Sequence, residues 1–316
     1  MSEKKYLHSK GWSRRTFMGA AAASLASLSI APLRAGATRV STGQNSAGFK
    51  LKYAPSLGMF REHAGEDPVD NLKFAADQGF KAVFDNSLMS RPSEVQEKIA
   101  SELNRHGMEL GPFVAYADFK VESFVLDKED VRLMLKQKMK DAVQTAKRTN
   151  AKWTLVVPGR YNQKMEWGYQ TANVIENLKY CADICAQAGL IIVIEPLNPW
   201  DHPGLFLKNM PQAFQICQAV NSPYCKIVDD LYHQQISEGN LIPNIDRSWT
   251  EIASFHLGDN PGRNEPGTGE INFKNIFKHL YSKGYKGVLC MEHGKSLPGK
   301  EGEKAVIDAY RACDAF

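Results

Sequence analysis

The stretch LIIVIEPLN, residues 190–198, begins as a run of branched apolar residues and meets a carboxylate at Glu195. Three later stretches repeat this arrangement, KIVDD (226–230), ASFH (253–256) and VLCME (288–292). Short continuous apolar runs are typical of strands in a parallel sheet that is covered on both faces. We therefore expect four buried strands, each ending in a charged or imidazole side chain.

Similar apolar runs alternate with longer amphipathic stretches from residue 51 to the end of the chain. The pattern predicts eight strands, at 51–57, 82–85, 109–115, 153–157, 190–195, 226–230, 252–257 and 287–292. It predicts helices between them, including 68–78, 93–105, 128–149, 173–188, 210–219 and 273–282. A glycine follows several of these segments, and glycine is common just past the C-terminus of a helix.

Eight β/α alternations without an intervening linker predict an α/β fold, a single (β/α)8 TIM barrel over residues 51–316. A doubly wound open sheet is the competing architecture. It normally shows a Gly-rich phosphate loop after its first strand, and Gly58-Met59-Phe60-Arg61 is not such a loop.

The first 37 residues have the layout of an export signal. Ser13-Arg14-Arg15-Thr16-Phe17-Met18 precedes an apolar stretch, 19–30, and Ala35-Gly36-Ala37 suits a signal peptidase. This order resembles a twin-arginine signal peptide. We expect residues 1–37 to be removed, residues 38–50 to form a connector, and the mature protein to be periplasmic or otherwise extracytoplasmic, with no stable membrane anchor.

The positive net charge belongs to the leader. The whole chain carries 39 basic and 35 acidic residues. Residues 1–37 contain six of the basic residues and one of the acidic residues, so residues 38–316 have a net charge of about −1. A near-neutral body argues against a nucleic-acid partner. Six cysteines in an exported chain permit disulfides, but a body of this size does not require them.

The four polar strand ends form a candidate metal site. The carboxyl ends of barrel strands share one face, and adjacent strands lie about 4.8 Å apart. Glu195, Asp230, His256 and Glu292 can therefore meet around one divalent ion. Three carboxylates and one imidazole suit Mn²⁺, Mg²⁺ or Co²⁺ better than a thiolate-preferring ion. A solvated turn carboxylate is the alternative for any one of them taken alone.

Three motifs carry a family resemblance. They are Glu195-Pro196-Leu197-Asn198 with the following Pro203-Gly204-x-Phe206-Leu207, then Asp230-Leu231-Tyr232-His233, and Pro261-Gly262-Arg263-x-Glu265-Pro266. They resemble the hydroxypyruvate isomerase family, within the xylose isomerase-like superfamily of sugar isomerases and epimerases. The resemblance implies that Glu195, Asp230, His256 and Glu292 hold the ion and that two glutamates act as acid and base. Hydroxypyruvate isomerases often have Gln at the position of His256, whereas the epimerases have His.

Glu195 and Glu292 are the expected catalytic pair, because a C–H beside a metal-bound carbonyl can lose a proton to one carboxylate and regain one from another. His233 is a candidate contact for a substrate hydroxyl or carbonyl, with a helix-capping role as the alternative. Arg263 is a candidate for a substrate carboxylate or hydroxyl pair, with a surface salt bridge to Glu265 as the alternative.

The leading function is a metal-dependent isomerase acting on a small keto-acid or sugar. A ketose 3-epimerase and a lyase or hydratase on a keto-sugar share the same intermediate. An apurinic endonuclease would need more histidine ligands and a basic face. An exported sugar-binding protein is the alternative without catalysis, although binding alone does not need two glutamates. A homodimer is compatible with the sequence, which does not determine the oligomeric state.

Overall fold

The computed structural model describes residues 48–316. The expected leader, 1–37, and most of the connector, 38–50, lie outside the described residues. The strands are β1 (Lys52–Pro55), β2 (Ala82–Val83), β3 (Glu109–Leu110), β4 (Phe113–Ala117), β5 (Trp153–Val157), β6 (Ile191–Ile194), β7 (Cys225–Asp230), β8 (Ile252–Leu257) and β9 (Val288–Met291). All are paired in parallel.

The helices lie between the strands in the chain. They are α1 (Arg61–Ala64), α2 (Pro68–Asp77), α3 (Ser93–His106), α4 (Glu129–Thr149), α5 (Trp167–Ala186), α6 (Met210–Val220), α7 (Leu231–Ser237), α8 (Leu241–Ser248), α9 (Phe273–Ser282) and α10 (Gly299–Asp314), with 3₁₀ turns at Leu88–Ser90 and Trp249–Glu251. Among residues 48–316, no helix combines the length and apolarity needed to cross a bilayer.

The sheet closes into the expected (β/α)8 barrel. Seven strands pair in the order β1-β9-β8-β7-β6-β5-β4, while β2 pairs with β3. A few hydrogen bonds join these two parts: Phe84 N donates to the Pro55 carbonyl, Leu57 N donates to the Phe84 carbonyl, and Val114 N donates to the Asn86 carbonyl. The predicted barrel is therefore confirmed, with one weakly paired side.

The third predicted strand, 109–115, needs a correction, because it is broken at Gly111-Pro112 into β3 and β4. Proline has no N–H to donate to a neighbouring strand. A Cβ on Gly111 would lie 2.7 Å from Cys290 Sγ and 2.8 Å from Phe84 Cβ, so the chain passes too close to its neighbours for any other residue. The two halves together fill one barrel position.

Two apolar layers bury both faces of the strands. Val193, Val228 and Cys290 belong to the cluster inside the barrel, whereas Ile194 and Leu289 pack with the surrounding helices. Side chains alternate between the two faces of a strand. Glu195, which follows Ile194, therefore points into the barrel. All six cysteines are unpaired, and five of them are buried.

Candidate metal centre

The four predicted ligands lie together at the carboxyl end of the barrel. Asp230 is the last residue of β7 and is directly paired with His256 in β8, while Glu195 and Glu292 follow β6 and β9. One candidate ligand atom from each of the four lies within 4.8 Å of those from the others. No other group of three or more such residues is found within residues 48–316.

Asp230 is fixed by the start of α7. Its Oδ1 accepts hydrogen bonds from the backbone N–H groups of Tyr232, at 2.8 Å, and His233, at 3.3 Å. This capping arrangement uses one carboxylate oxygen and leaves Oδ2 facing the centre of the barrel. The neighbouring Asp229 points to the opposite face, as strand alternation predicts, and lies outside the cluster.

His256 contacts both glutamates through one ring nitrogen. Its Nδ1 is 3.2 Å from Glu195 Oε1 and 3.1 Å from Glu292 Oε2, and its Nε2 has no hydrogen-bond partner among the described residues. Burial opposes protonation of His256, but Glu292, helped by Cys290 and Glu195, outweighs it and raises the pKa of the imidazole well above its usual value. Burial disfavours the charged carboxylate of Glu195 and raises its pKa to about 7, and the charge on Glu292 adds to that shift.

Glu292 has a different environment. Its Oε1 accepts a hydrogen bond from Asn86 Nδ2 at 2.5 Å, and its Oε2 accepts one from Arg263 Nη2 at 2.8 Å. Burial opposes the charged form, but His256 and Arg263 outweigh it and hold the pKa of Glu292 below its usual range. The two glutamates therefore face the same imidazole with opposite tendencies to hold a proton.

Arg263 lies across the mouth of the cluster. Its Nη2 donates to Asp230 Oδ2 and to Glu292 Oε2, both at 2.8 Å, and its Nε donates to the Glu292 carbonyl at 3.1 Å. The backbone of Arg263 is left-handed, with φ of 47°. The alternative salt bridge to Glu265 is not formed, since that carboxylate accepts hydrogen bonds from Ser296.

His233 is buried beside the cluster. Its Nδ1 lies 2.8 Å from Asn198 Nδ2, and its Nε2 lies 3.1 Å from Arg263 Nη1. Burial lowers the pKa of His233 to about 4, and the charge of Arg263 adds to that shift, against the opposing effect of Asp230. The Nε2 atom is 3.7 Å from Asp230 Oδ2, so the ring is within reach of a molecule held by the cluster.

Sequence reasoning missed Asn86, which contacts Glu292. Asn86 is the first residue after the predicted strand 82–85, next to the strand-end position that the expected ligands occupy on their strands. A search for amides as well as charged groups at strand ends would have found it.

The donor set fits a hard divalent ion. Ligands about 2.1 Å from a six-coordinate ion are separated by about 3.0 Å when adjacent and about 4.2 Å when opposite. The 4.8 Å limit on the separations here is close to that range. Three carboxylates at such distances repel one another, and a cation relieves that repulsion. Glu195, Asp230, His256 and Glu292 are thus able to hold a metal ion.

The chain is similar to curated proteins named as isomerases. The chain is 34% identical to hydroxypyruvate isomerase of Escherichia coli (strain K12) over 140 residues, which cover 44% of this chain and 54% of that protein. It is 28% identical to 2-oxo-tetronate isomerase of Pectobacterium atrosepticum over 257 residues, which cover 79% of this chain and 95% of that protein. The chain spans about half the length of the first hydroxypyruvate and 2-oxo-tetronate isomerases that it matches.

Solved structures share the fold. The 3-keto-D-glucoside 4-epimerase from E. coli superposes with a TM-score of 0.70 at 16% identity, over 83% of this chain and 100% of that one. Residues 72–313 match the family described as xylose isomerase-like TIM barrel. That match covers well over half of the chain, and the chain therefore belongs to the xylose isomerase-like TIM barrel family.

Proposed function

We propose that this protein is a divalent-metal-dependent isomerase that moves a proton between adjacent carbons of a small keto-acid or sugar through an enediolate. One observation carries the proposal: Glu195 and Glu292 both contact the Nδ1 atom of His256 within a single cluster of four metal-type ligands. A site that only binds sugar does not require two carboxylates placed to exchange protons. The isomerase names of the curated relatives support the same reaction class.

Each side chain has a proposed duty. The bound ion would supply the positive charge that makes a C–H beside a carbonyl more acidic. One of Glu195 and Glu292 takes the proton, and the other returns one to the neighbouring carbon or to the opposite face of the same carbon. The first outcome is an isomerisation, in which the proton of the original hydroxyl also passes to the former carbonyl oxygen, and the second is an epimerisation. Asp230 and His256 hold the ion and keep both glutamates in place.

His233 and Arg263 are the proposed substrate contacts. His233 is neutral and close to the cluster, so its ring can bind a hydroxyl or carbonyl oxygen. Arg263 presents its guanidinium over the same space, and its donors can bind a carboxylate or a pair of hydroxyls. A substrate oxygen would take over hydrogen bonds that Arg263 now makes to Asp230 and Glu292.

We also propose that the protein acts outside the cytoplasm, exported by the twin-arginine route without a stable anchor. The support for this is the sequence of residues 13–37. Substrates are therefore expected to be small keto-acids or sugars present in that compartment.

The test is deuterium exchange in D₂O. A panel of keto-acids, ketoses and keto-glycosides is incubated with the protein and Mn²⁺, Mg²⁺ or Co²⁺, and the C–H signals beside the carbonyl are followed by NMR. We expect exchange and product formation with a divalent ion and neither with a chelator. Loss of a β-substituent would indicate a lyase or hydratase. Binding without exchange across the panel would contradict the proposal and indicate a sugar-binding protein.

A further inference from the structure

We propose that His202 and Phe119 form a subsite for the second ring of a glycoside substrate, at the rim of the barrel mouth. This inference rests on the proposed function and names the substrate class: a keto-sugar whose reacting carbon lies at the carboxylates and whose glycosidic partner ring lies against these two aromatic side chains.

A continuous line of rings leads from the metal-type cluster to the rim. His233, which is beside Asp230, has its ring 5.3 Å from that of His202 in an edge-to-face arrangement. The His202 ring is in turn stacked on Phe119, with 5.1 Å between centroids and 25° between planes. Phe119 is 44% exposed, although it is a large apolar side chain. The inner end of the line is therefore at the reacting groups and the outer end is open.

The two loops that carry this pair are joined. Arg160, which follows β5, donates through Nη1 to the carbonyls of Phe119, at 3.3 Å, and Pro203, at 3.1 Å. Arg160 fits there because residue 204 is glycine: a Cβ on Gly204 would lie 2.2 Å from Arg160 Nη2. The wall is thus built into the structure before a ligand arrives, which lowers the entropic cost of binding.

The dimensions and chemistry of the wall favour a ring-bearing substrate. A three-carbon keto-acid, with bonds of about 1.5 Å, extends less than about 5 Å, whereas two ring-to-ring steps of 5.3 and 5.1 Å lead from His233 to Phe119. A second linked sugar ring supplies the additional length. Burial, with Arg263 adding to it, lowers the pKa of His202, so its ring is neutral and offers an uncharged face. The C–H face of a pyranose packs well on such flat apolar surfaces.

The experiment compares two probes, a 3-keto disaccharide and the methyl glycoside of the same keto-hexose. Deuterium exchange gives kcat/KM for each, and calorimetry gives each Kd independently of turnover. Phe119→Ala should lower the preference for the disaccharide over the methyl glycoside by about 3- to 10-fold in Kd, the range expected for one aromatic contact. Phe119→Tyr, which keeps the ring, should restore that preference.

Tyr281 provides the matched control. It is an exposed aromatic residue, 51% accessible, that packs edge-on against Phe316 near the C-terminal end of α9, away from the barrel mouth. Tyr281→Ala should leave the preference unchanged, because a helix that returns antiparallel to the strands ends at the opposite face of the barrel.

Three results separate the possible failures. A preference unaffected by Phe119→Ala, or equally affected by Tyr281→Ala, would overturn the subsite. So would a change in sedimentation coefficient on Phe119→Ala, which would make this rim an interface between copies of the chain. Preferential disaccharide binding that depends on Phe119, without exchange of either probe, would support the subsite while contradicting the proposed isomerase function.

Discussion

Arg263 allows a sharp test of how the cluster is neutralised. Its Nη2 lies 2.8 Å from both Asp230 Oδ2 and Glu292 Oε2. Each contact is worth about 6 kcal/mol of Coulomb energy at an effective dielectric constant of about 20, before the cost of desolvation. Removing one partner of a buried ion pair typically costs about 3–5 kcal/mol. The side chains of Arg263 and Glu292 keep 29% and 23% of their exposure, so we expect Arg263→Gln to cost about 2–4 kcal/mol without an ion.

A bound divalent ion should reduce that loss. The ion would supply positive charge to the same carboxylates, so with saturating Mn²⁺ we expect Arg263→Gln to cost at most half as much as in a chelator. The assay is urea unfolding followed by circular dichroism, in Mn²⁺ and in EDTA. Conversely, Mn²⁺ should stabilise the variant more than it stabilises the wild type.

Arg91 is the matched control. It pairs with Asp85, which is not one of the four metal-type ligands, and its side chain is 27% exposed, close to the value for Arg263. Arg91→Gln should destabilise the protein equally in Mn²⁺ and in EDTA. If Arg263→Gln behaved in the same way, or if Mn²⁺ did not stabilise the wild type, the account of a shared charge would be refuted.

Three further predictions follow from the same structure and sequence. Asp230→Asn should weaken Mn²⁺ binding, measured by calorimetry, at least about tenfold. The control Asp229→Asn, on the other face of β7, should change the Mn²⁺ affinity less than about twofold. Equal effects of the two substitutions would show that Asp230 is not a ligand. The pKa of His233 is about 4 in the folded protein, against an ordinary value of 6.5 in the unfolded chain. Between these values the unfolded chain binds more protons, so this residue lowers the free energy of unfolding as the pH decreases from 6.5 towards 4. His233→Gln should therefore reduce the loss of unfolding free energy between pH 7 and 5 by about 2 kcal/mol, and an unchanged loss would contradict a buried neutral ring. Replacing Arg14 and Arg15 by Lys should retain unprocessed precursor in the cytoplasm of the native host, and normal processing near residue 38 would argue against the twin-arginine route.

The sequence was sufficient for the barrel and for bringing the cluster together, because both follow from the two-residue alternation of a strand. Val228 and Asp230 share the inner face, and Asp229 must then face the helices. Since parallel strands end at one face, polar residues at equivalent positions on neighbouring strands meet without further information. The four metal-type ligands could therefore be chosen from strand ends alone.

Features that depend on contacts between loops could not be predicted in this way. The break at Gly111-Pro112 arises from the close approach of Cys290 and Phe84, which are distant in sequence. The stacking of Phe119 on His202 requires the loops after β4 and β6 to be joined by a residue from a third loop. Neither the periodicity nor the propensity of a single segment contains that information.

The most direct test of the central claim measures deuterium exchange by Glu195→Gln, Glu292→Gln and the double variant, each loaded with the ion that supports wild-type turnover. A Gln amide can still offer an oxygen ligand but cannot accept and return a proton. Each single variant should retain part of the metal binding and lose roughly 10²–10⁴-fold or more in rate. The double variant should be little slower than the slower single variant, because both groups serve one proton transfer. Exchange at near the wild-type rate in either single variant would show that this glutamate is only a ligand, and the two-base account would be wrong.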